Sequence, residues 1–257
     1  MVKSPEILAF VNALSRLLGW TYFLAWSISF YAQPYLNWQR KSTQGLAIDF
    51  PTLNLLGFVC YTISTASFLW SPTIRSQYAA RHPASPKTTV RFNDFAFALH
   101  AAIMCIVTYS QFYSSLWGFS VGRRQRASRG VLGIVLASIL STIVIVFVIA
   151  GTPGGGNDPD GWAWIDLIYT LGYIKLVCSL IKYCPQVFLN YKRKSTVGWS
   201  ILNILLDFTG GILSLMQLII DSSLQGDWSG IIGNPVKLGL SNTSLFFDVI
   251  FMVQHYV

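Results

Sequence analysis

The chain has 257 residues, of which 53% are hydrophobic and only 11% are charged. Soluble domains carry roughly 25% charged residues, so the charges here are too few to cover a water-soluble surface. This composition excludes a soluble enzyme, a disordered chain and a nucleic-acid-binding domain, and the net charge of +8 indicates basic loops on one side of a membrane.

Seven apolar segments follow one another along the chain, each bounded by charges, glycine or proline. Each is long enough to cross a bilayer as a helix, and the continuous run at 131–150 lacks the alternation of a β-barrel strand. The sequence therefore predicts an all-α membrane protein. Its seven transmembrane helices are expected over 15–36, 48–70, 93–113, 131–150, 163–183, 201–220 and 236–257.

The loops differ in charge according to the side on which they fall. On one side the basic residues have no acid among them, and they are Arg40, Lys41, Arg123, Arg124, Arg126, Arg129, Lys192, Arg193 and Lys194. The loops of the other side mix bases with acids. By the positive-inside rule the first side is cytosolic, so we expect a luminal N-terminal segment at 1–14 and a cytosolic C-terminus.

The chain contains an internal repeat. Residues 31–57 align with residues 184–210 at a fixed offset of 153, and the basic turns Arg40-Lys41-Ser42-Thr43 and Arg193-Lys194-Ser195-Thr196 are identical. The offset places helices 1, 2 and 3 on helices 5, 6 and 7. We therefore predict two parallel three-helix repeats, 15–113 and 163–257, joined by a connector helix at 131–150. Such repeats favour a transporter; duplication kept only for stability is the other interpretation.

Ionisable groups inside the apolar segments are functional candidates, because their burial in a membrane is expensive. Asp207 is the strongest, since it lies one turn after Asn203 on the same helix face and a desolvated carboxyl group can exchange protons. The other interpretation is a carboxylate hydrogen-bonded to a neighbouring helix. The repeat places Asn54 at the position that corresponds to Asp207, so the two halves cannot act identically.

Four further charged residues lie at helix ends or inside helix 7. Asp94 reads from its position as an N-cap or first-turn acid of helix 3, and Asp49 as a cap or gate contact at the start of helix 2. Lys237 follows a proline near one end of helix 7, where it can snorkel, whereas Asp248 is deeper and needs a partner. Asn242-Thr243-Ser244 fits the glycosylation pattern but lies within helix 7, so we expect it to be unused.

The repeated core resembles the PQ-loop family. The resemblance rests on Tyr183-Cys184-Pro185-Gln186 and the following Lys194-Ser195-Thr196-Val197-Gly198-Trp199-Ser200. Further runs resemble the cystinosin branch, namely Gly19-Trp20, Ala25-Trp26-Ser27-Ile28-Ser29-Phe30-Tyr31, Asn203–Gly211 and Phe247-Asp248-Val249. The resemblance implies a proton-coupled exporter that moves cystine from the lysosome or vacuole into the cytosol. Its oligomeric state is open, and we expect a monomer to be the functional unit. We expect a short form like the plant and fungal relatives, without the long glycosylated extension of animal members.

The resemblance also implies roles for individual residues. Asp207 matches the proton-binding aspartate, Asp94 and Asp248 are further proton-coupling candidates, and Lys237 matches a lysine that captures a substrate carboxylate. Cystine is a double zwitterion, so its site needs anionic, cationic and amide groups. The remaining predicted substrate ligands are Asn203, Asn54, Trp26, Phe30, Gln33 and Gln186. For Trp26 and Phe30, ordinary helix packing is the other interpretation.

The two copies differ at the family's proline. The second copy has Pro185-Gln186, whereas the first has Ala32-Gln33 with Pro34 one position later. A proline inside a membrane helix frees a carbonyl group and makes a hinge. We predict hinge or gating roles for these positions, with Ala32 stiffening the first copy and Pro34 partly replacing the kink.

Other classes fit the sequence less well. A seven-helix receptor has no reason for a parallel repeat, and the sequence has neither a Gly-x-Gly-Asp element nor a Ser-His pair in a Gly-x-Ser-x-Gly context. We therefore predict a protein that is not an enzyme, with no cofactor, metal or nucleic-acid partner, working in the lipid bilayer. PQ-loop exporters of cationic amino acids stay open as an alternative.

Overall fold

The structure is a computed structural model that describes residues 5–83, 86, 88, 90, 92–123, 125–225 and 235–257, of which 93, 218, 221–225 and 235–241 are described by their backbone only. Its elements are helices, apart from an isolated bridge between Ser42 and Ser120. They are α1 (Pro5–Arg40), α2 (Asp49–Trp70), α3 (Pro72–Arg81), α4 (Phe92–Ser110), α5 (Ser114–Trp117), α6 (Arg129–Gly151), α7 (Trp164–Ile181), α8 (Cys184–Arg193), α9 (Ile201–Gln225) and α10 (Pro235–Tyr256).

Each predicted apolar segment coincides with one of these helices, with two differences. Helix α1 begins at Pro5, so most of the segment expected at 1–14 is helical. The chain also turns at 182–183, between α7 and α8. By length and composition, α1, α2, α6 and the stretch 164–193 can cross a membrane, while α4 and α9 contain shorter apolar stretches. The chain is thus a helical membrane protein, and seven crossings stay a prediction.

One face of α1 is apolar and exposed. The exposed side chains recur every three or four residues, and they are Leu17, Trp20, Leu24, Ile28, Tyr31, Tyr35 and Trp38. A soluble helix would turn such a stripe toward a core. Here the stripe lies outward, as expected for a helix whose surroundings are lipid.

Contacts divide the chain into two compact units. The first unit comprises Met1–Leu46, Tyr113–Val121 and Gln186–Val257, and in it α9 packs against both α1 and α10. The second unit comprises Ala47–Phe112 and Gly122–Pro185, and in it α2 packs against α4 and α7 while α6 lies on α7.

Each compact unit contains helices from both sequence repeats. Each combines the first helix of one repeat with the second and third helices of the other, so the repeats predicted at 15–113 and 163–257 are not themselves the compact units. Glycines at equivalent positions of the two repeats lie at helix contacts within the units. A Cβ on Gly57 of α2 would lie 3.2 Å from Cys178 Cβ on α7, and Gly210 of α9, which is 153 residues later, faces Trp26 on α1.

In the second unit, side chains of α3 bind the start of α7. Ser71 caps α3 by accepting a hydrogen bond from Ile74 N, and Pro72 occupies the first turn. The guanidinium of Arg81 donates to both carboxylate oxygens of Asp166, and this carboxylate raises the pKa of Arg81. Gln77, which also lies on α3, accepts a hydrogen bond from the backbone N of Ile165 at 2.9 Å.

Candidate functional site

Two carboxylates of the first unit are joined through one hydroxyl group. Asp207 lies on α9, and Ser244 and Asp248 lie one turn apart on α10, so the packing of α9 against α10 brings all three together. Ser244 Oγ is 2.9 Å from Asp207 Oδ2 and 3.5 Å from Asp248 Oδ2. Asp248 is fully buried, whereas Asp207 and Ser244 are half-buried. The two acids that the sequence singled out inside helices 6 and 7 therefore form one group.

Trp26 fixes the backbone of α9 at this group. Its indole Nε1 donates to the carbonyl oxygen of Asp207 at 3.2 Å. The ring lies over Gly210, where a Cβ would come within 2.5 Å of Nε1 and Cδ1. Trp26 therefore packs α1 onto α9, which is the packing role that sequence analysis left open; whether it also contacts substrate stays a prediction.

The first PQ-loop copy is held by Gln33. The side-chain Nε2 of Gln33 donates to Asn37 Oδ1 at 2.9 Å and to the carbonyl oxygen of Gly198 at 3.0 Å. Its Oε1 accepts from Ser200 N at 2.9 Å. The amide thus ties α1 to the loop that precedes α9, and it is almost completely buried.

The second copy repeats this arrangement with the partners exchanged. Gln186 Nε2 donates to Asn190 Oδ1 at 2.8 Å and to the carbonyl oxygen of Gly45 at 3.0 Å. Asn190 in turn donates to Gln254 Oε1 on α10 at 3.2 Å. Both glutamines therefore hold loops, in a way that sequence analysis did not foresee. Their predicted contact with substrate stays a prediction.

The two loops touch at a pair of glycines. Gly45 and Gly198 have φ angles of +101° and +102°, which disfavour any residue with a Cβ. A Cβ on Gly45 would meet the carbonyl oxygen of Val197, and one on Gly198 would meet that of Gln44. Glycine is thus required at both positions by conformation and by the close approach of the opposite loop.

The predicted hinge positions differ between the copies. In the second copy the helix is interrupted at 182–183, directly before α8, and Pro185 is the second residue of α8. In the first copy α1 runs without interruption through Ala32 and Pro34, both of which are buried. Proline at 185 cannot donate a backbone hydrogen bond to the preceding turn, whereas Ala32 can.

Asn54 and Asp94 lie in the second unit. Asn54 is 6% exposed, and its Oδ1 has no hydrogen-bond partner among the residues that the structure describes. A buried acceptor of this kind calls for an explanation, and a bound ligand is one. Asp94 is half-buried in the first turn of α4, which confirms its predicted position as a first-turn acid.

Lys175, to which sequence analysis gave no role, lies over an aromatic ring. Its Nζ is 3.7 Å from the centroid of the Phe58 ring, and its Cδ would be 3.3 Å from a Cβ on Gly57. This cation–π contact stabilises the ammonium group within the second unit. The signal available in the sequence was a lysine seven residues before Lys182, in the middle of an apolar helix.

Asp49 caps a helix other than its own. Its Oδ1 accepts a hydrogen bond from the backbone N of Ser128 at 2.7 Å, directly before α6. Ser128 Oγ in turn accepts from Val131 N. Asp49 thus contacts the residue that precedes α6, no side-chain cap is present among the described residues at the start of α2, and the predicted gate role stays a prediction.

Three predicted substrate ligands remain. Asn203 is half-buried one turn before Asp207, and Phe30 is half-buried one turn after Trp26. Lys237 lies in the first turn of α10, but its side chain is outside the part of the chain whose side chains the structure describes.

A Gly-x-Ser-x-Gly run, the pattern of some hydrolase nucleophiles, is present at 118–122. Its serine, Ser120, is engaged in loop contacts: its backbone N donates to the carbonyl oxygen of Lys41 at 2.9 Å, and its own carbonyl accepts from Thr43 N at 3.2 Å. Its hydroxyl also lies 3.4 Å from the carbonyl oxygen of Lys41. Ser120 therefore holds the loop that follows α1.

Comparison with known proteins agrees with the internal repeat. The PQ loop repeat family matches residues 14–74 and 167–227, two stretches that are 153 residues apart. Cystinosin of Drosophila melanogaster is 42% identical over 95% of this chain and 58% of its own length. The chain thus spans less than two thirds of that relative.

Two other relatives are covered more fully. The cystinosin homolog of Arabidopsis thaliana is 40% identical over 94% of this chain and 84% of its own length. The cystine transporter of Saccharomyces cerevisiae is 33% identical over 95% of this chain and 94% of its own length. Each of these two matches covers at least 94% of this chain. The chain therefore belongs to the cystinosin family of PQ-loop proteins.

Proposed function

We propose that this protein is a transporter that moves cystine, together with protons, from the lumen of a lysosome or vacuole into the cytosol. Relatives named cystinosin and cystine transporter support the substrate. The basic residues of the loops at 40–41, 123–129 and 192–194 support a cytosolic position for those loops. On this topology the N-terminus is luminal.

The observation that carries proton coupling is the group formed by Asp207, Ser244 and Asp248. Carboxyl groups on apolar helices are expensive in a membrane and are retained where ions or protons pass. Here two of them approach the same hydroxyl, at 2.9 and 3.5 Å. Protonation of one acid removes a negative charge from this pair, so proton binding and the conformation of α9 and α10 are coupled.

The ligands proposed for cystine follow from its charges. Its two ammonium groups need carboxylates or acceptors, for which we propose Asp207 and the neighbouring Asn203 on α9. Its two carboxylates need cations, for which we propose Lys237 on α10.

The transport cycle that we propose is alternating access. An acidic lumen protonates the Asp207 group, cystine binds on that side, and release of the proton to the cytosol completes the step. The glutamine-held loops then have to rearrange, because Gln33 of α1 holds the loop before α9 and Gln186 of α8 holds the loop after α1. Pro185 supplies the place where the helix can bend.

Uptake into proteoliposomes tests this function. Labelled cystine, arginine and lysine are supplied with and without an inward proton gradient, and we expect gradient-driven uptake of cystine only. Asp207→Asn should abolish the response to the gradient while the protein stays folded. Asp160→Asn, in an exposed loop, is the matched control and should transport like the unaltered chain.

Two results would contradict the proposal in different ways. Preferential uptake of arginine or lysine would replace cystine as the substrate and leave the transporter class intact. Gradient-dependent uptake that is unchanged in Asp207→Asn would remove Asp207 from proton coupling.

A further inference from the structure

Ser244 occupies a position that neither the repeat nor the charges of the chain single out. It precedes Asp248 by one helical turn on α10, and its hydroxyl faces Asp207 on α9. The distance to Asp207 Oδ2 is 2.9 Å, a normal length for a hydrogen bond from a hydroxyl to a carboxylate. Asp248 Oδ2 lies 3.5 Å from the same oxygen.

Burial makes this hydroxyl useful for Asp248. Asp248 is fully buried, so a proton that reaches or leaves it has to pass through neighbouring groups. Asp207 is half-buried and is therefore the more accessible of the two acids. A group placed between them, and able both to donate and to accept, is the simplest path.

A serine hydroxyl has this double capacity. It carries one hydrogen, which it donates to Asp207, and it has lone pairs that can accept from a protonated Asp248. When the Asp248 Oδ2–H bond breaks and a new Ser244 Oγ–H bond forms, the original Oγ–H bond breaks and Asp207 Oδ2–H forms. One proton has then moved between the acids, the serine is neutral again, and no oxidant or other reactant is needed.

Charges on the helices around this group do not compete with the two acids. Helix α1 has no charged or histidine side chain from 17 to 39. Asp207 is the only one on α9 from 201 to 220, and Asp248 is the only one on α10 from 242 to 254. On these stretches the proton can therefore be held by one of the two acids or by the other.

We propose that Ser244 relays the transported proton between Asp207 and Asp248. The proposal rests on the proton-coupled function above, and it adds a residue that makes the two acids act as one proton-binding unit. It also gives a reason why Ser244 and Asp248 stand four residues apart, since this spacing puts both side chains on the α10 face that packs on α9.

The test compares two transport modes in proteoliposomes containing the full chain. One mode is cystine uptake driven by a proton gradient. The other is exchange of labelled for unlabelled cystine at equal pH on both sides, which needs no net proton movement. Ser244→Ala should lower gradient-driven uptake by at least about 10-fold, a threshold set below the roughly 100-fold or more that a positioned proton-transfer group contributes. Exchange should stay within about twofold of the unaltered chain.

Two matched variants separate the relay from a packing role. Ser244→Thr keeps the hydroxyl and should restore gradient-driven uptake. Thr243→Val removes a hydroxyl at the adjacent position, where no hydrogen bond to either acid is present, and should leave both modes unchanged. Gradient-driven uptake should also slow in D₂O for the unaltered chain, and this slowing should disappear in Ser244→Ala.

Each remaining outcome decides against the relay. Gradient-driven uptake by Ser244→Ala at the level of the unaltered chain would overturn it and leave proton coupling through Asp207 standing. Equal loss of uptake and exchange would assign Ser244 to the shape of the site instead. If the unaltered chain itself ignored the proton gradient, the proposed function and the relay would fall together.

Discussion

The indole ring of Trp26 lies where the side chain of any residue other than glycine at position 210 would have to be, since a Cβ on Gly210 would come within 2.5 Å of the indole Nε1. Gly210→Ala should therefore separate α1 from α9 or displace the ring, and we expect it to destabilise the protein by about 1–3 kcal/mol. A thermal melting curve in detergent measures the change.

A glycine in open space provides the control for this change. Gly172 lies within α7, and a Cβ there would meet nothing within 4 Å. Gly172→Ala should keep or slightly raise the melting temperature, because alanine favours a helix over glycine by about 1 kcal/mol. Equal losses in both variants would show that the contact with Trp26 does not limit the packing of α1 on α9.

A second prediction concerns the contact between the two loops that contain Gly45 and Gly198. Gly198→Ala introduces a Cβ at a φ of +102° and drives it against the carbonyl oxygen of Gln44 in the opposite loop. Gly118 also has a positive φ, +66°, but open space around its Cβ position. Gly118→Ala should therefore show only the backbone effect, about 1–2 kcal/mol, and Gly198→Ala a larger loss of stability.

The equivalent change in the first loop sharpens this comparison. Gly45→Ala should resemble Gly198→Ala in melting temperature, because the two glycines have matching φ angles and face the backbone of each other's loops. If all three alanine variants melted alike, the positive φ alone would set the effect and the close approach of the loops would contribute nothing.

The repeat shows what the sequence could and could not predict. The offset of 153 correctly paired Gln33 with Gln186 and Gly45 with Gly198, because local spacing survives in each copy. It could not predict that Gln33 bonds to Gly198 and Gln186 to Gly45. A repeat indicates which helices are equivalent, but the neighbour of each helix depends on packing between residues more than a hundred positions apart.

Ser244 is an example of a site residue that sequence patterns hide. In the sequence it is recognisable only as the last residue of a glycosylation pattern inside an apolar helix. Its importance comes from α9, since Asp207 is 37 residues away and approaches only when α9 and α10 pack. The acids themselves were predictable because a charge inside an apolar segment stands out, whereas a serine there does not.

A third prediction concerns the contact between Arg81 on α3 and Asp166 on α7. Arg81 donates to Asp166 and to the carbonyl oxygens of Pro159 and Gly161, so Arg81→Ala leaves a carboxylate and two carbonyl groups without this partner. We expect a loss of about 2 kcal/mol, typical of hydrogen bonds to a charged group. Melting temperature measures it.

Arg75→Ala is the matched control, because Arg75 lies on the same helix with an exposed side chain. It removes the same charge without touching Asp166 and should melt like the unaltered chain. A loss in Arg75→Ala as large as that in Arg81→Ala would mean that net charge, and not the contact with Asp166, stabilises this region.

The last prediction concerns the hinge. The chain is interrupted before Pro185, whereas α1 is continuous through Ala32 and Pro34, so the helix is broken in one copy only. Ala32→Pro removes the hydrogen bond from position 32 to the preceding turn, which costs about 3 kcal/mol in a helix interior. If bending of α1 limits transport, it should lower the melting temperature and raise gradient-driven cystine uptake at least about twofold, a factor equivalent to 0.4 kcal/mol in the barrier. Ala25→Pro, elsewhere in α1, should lower stability without this gain. A loss of stability with no rise in uptake in both variants would place the rate-limiting movement outside α1.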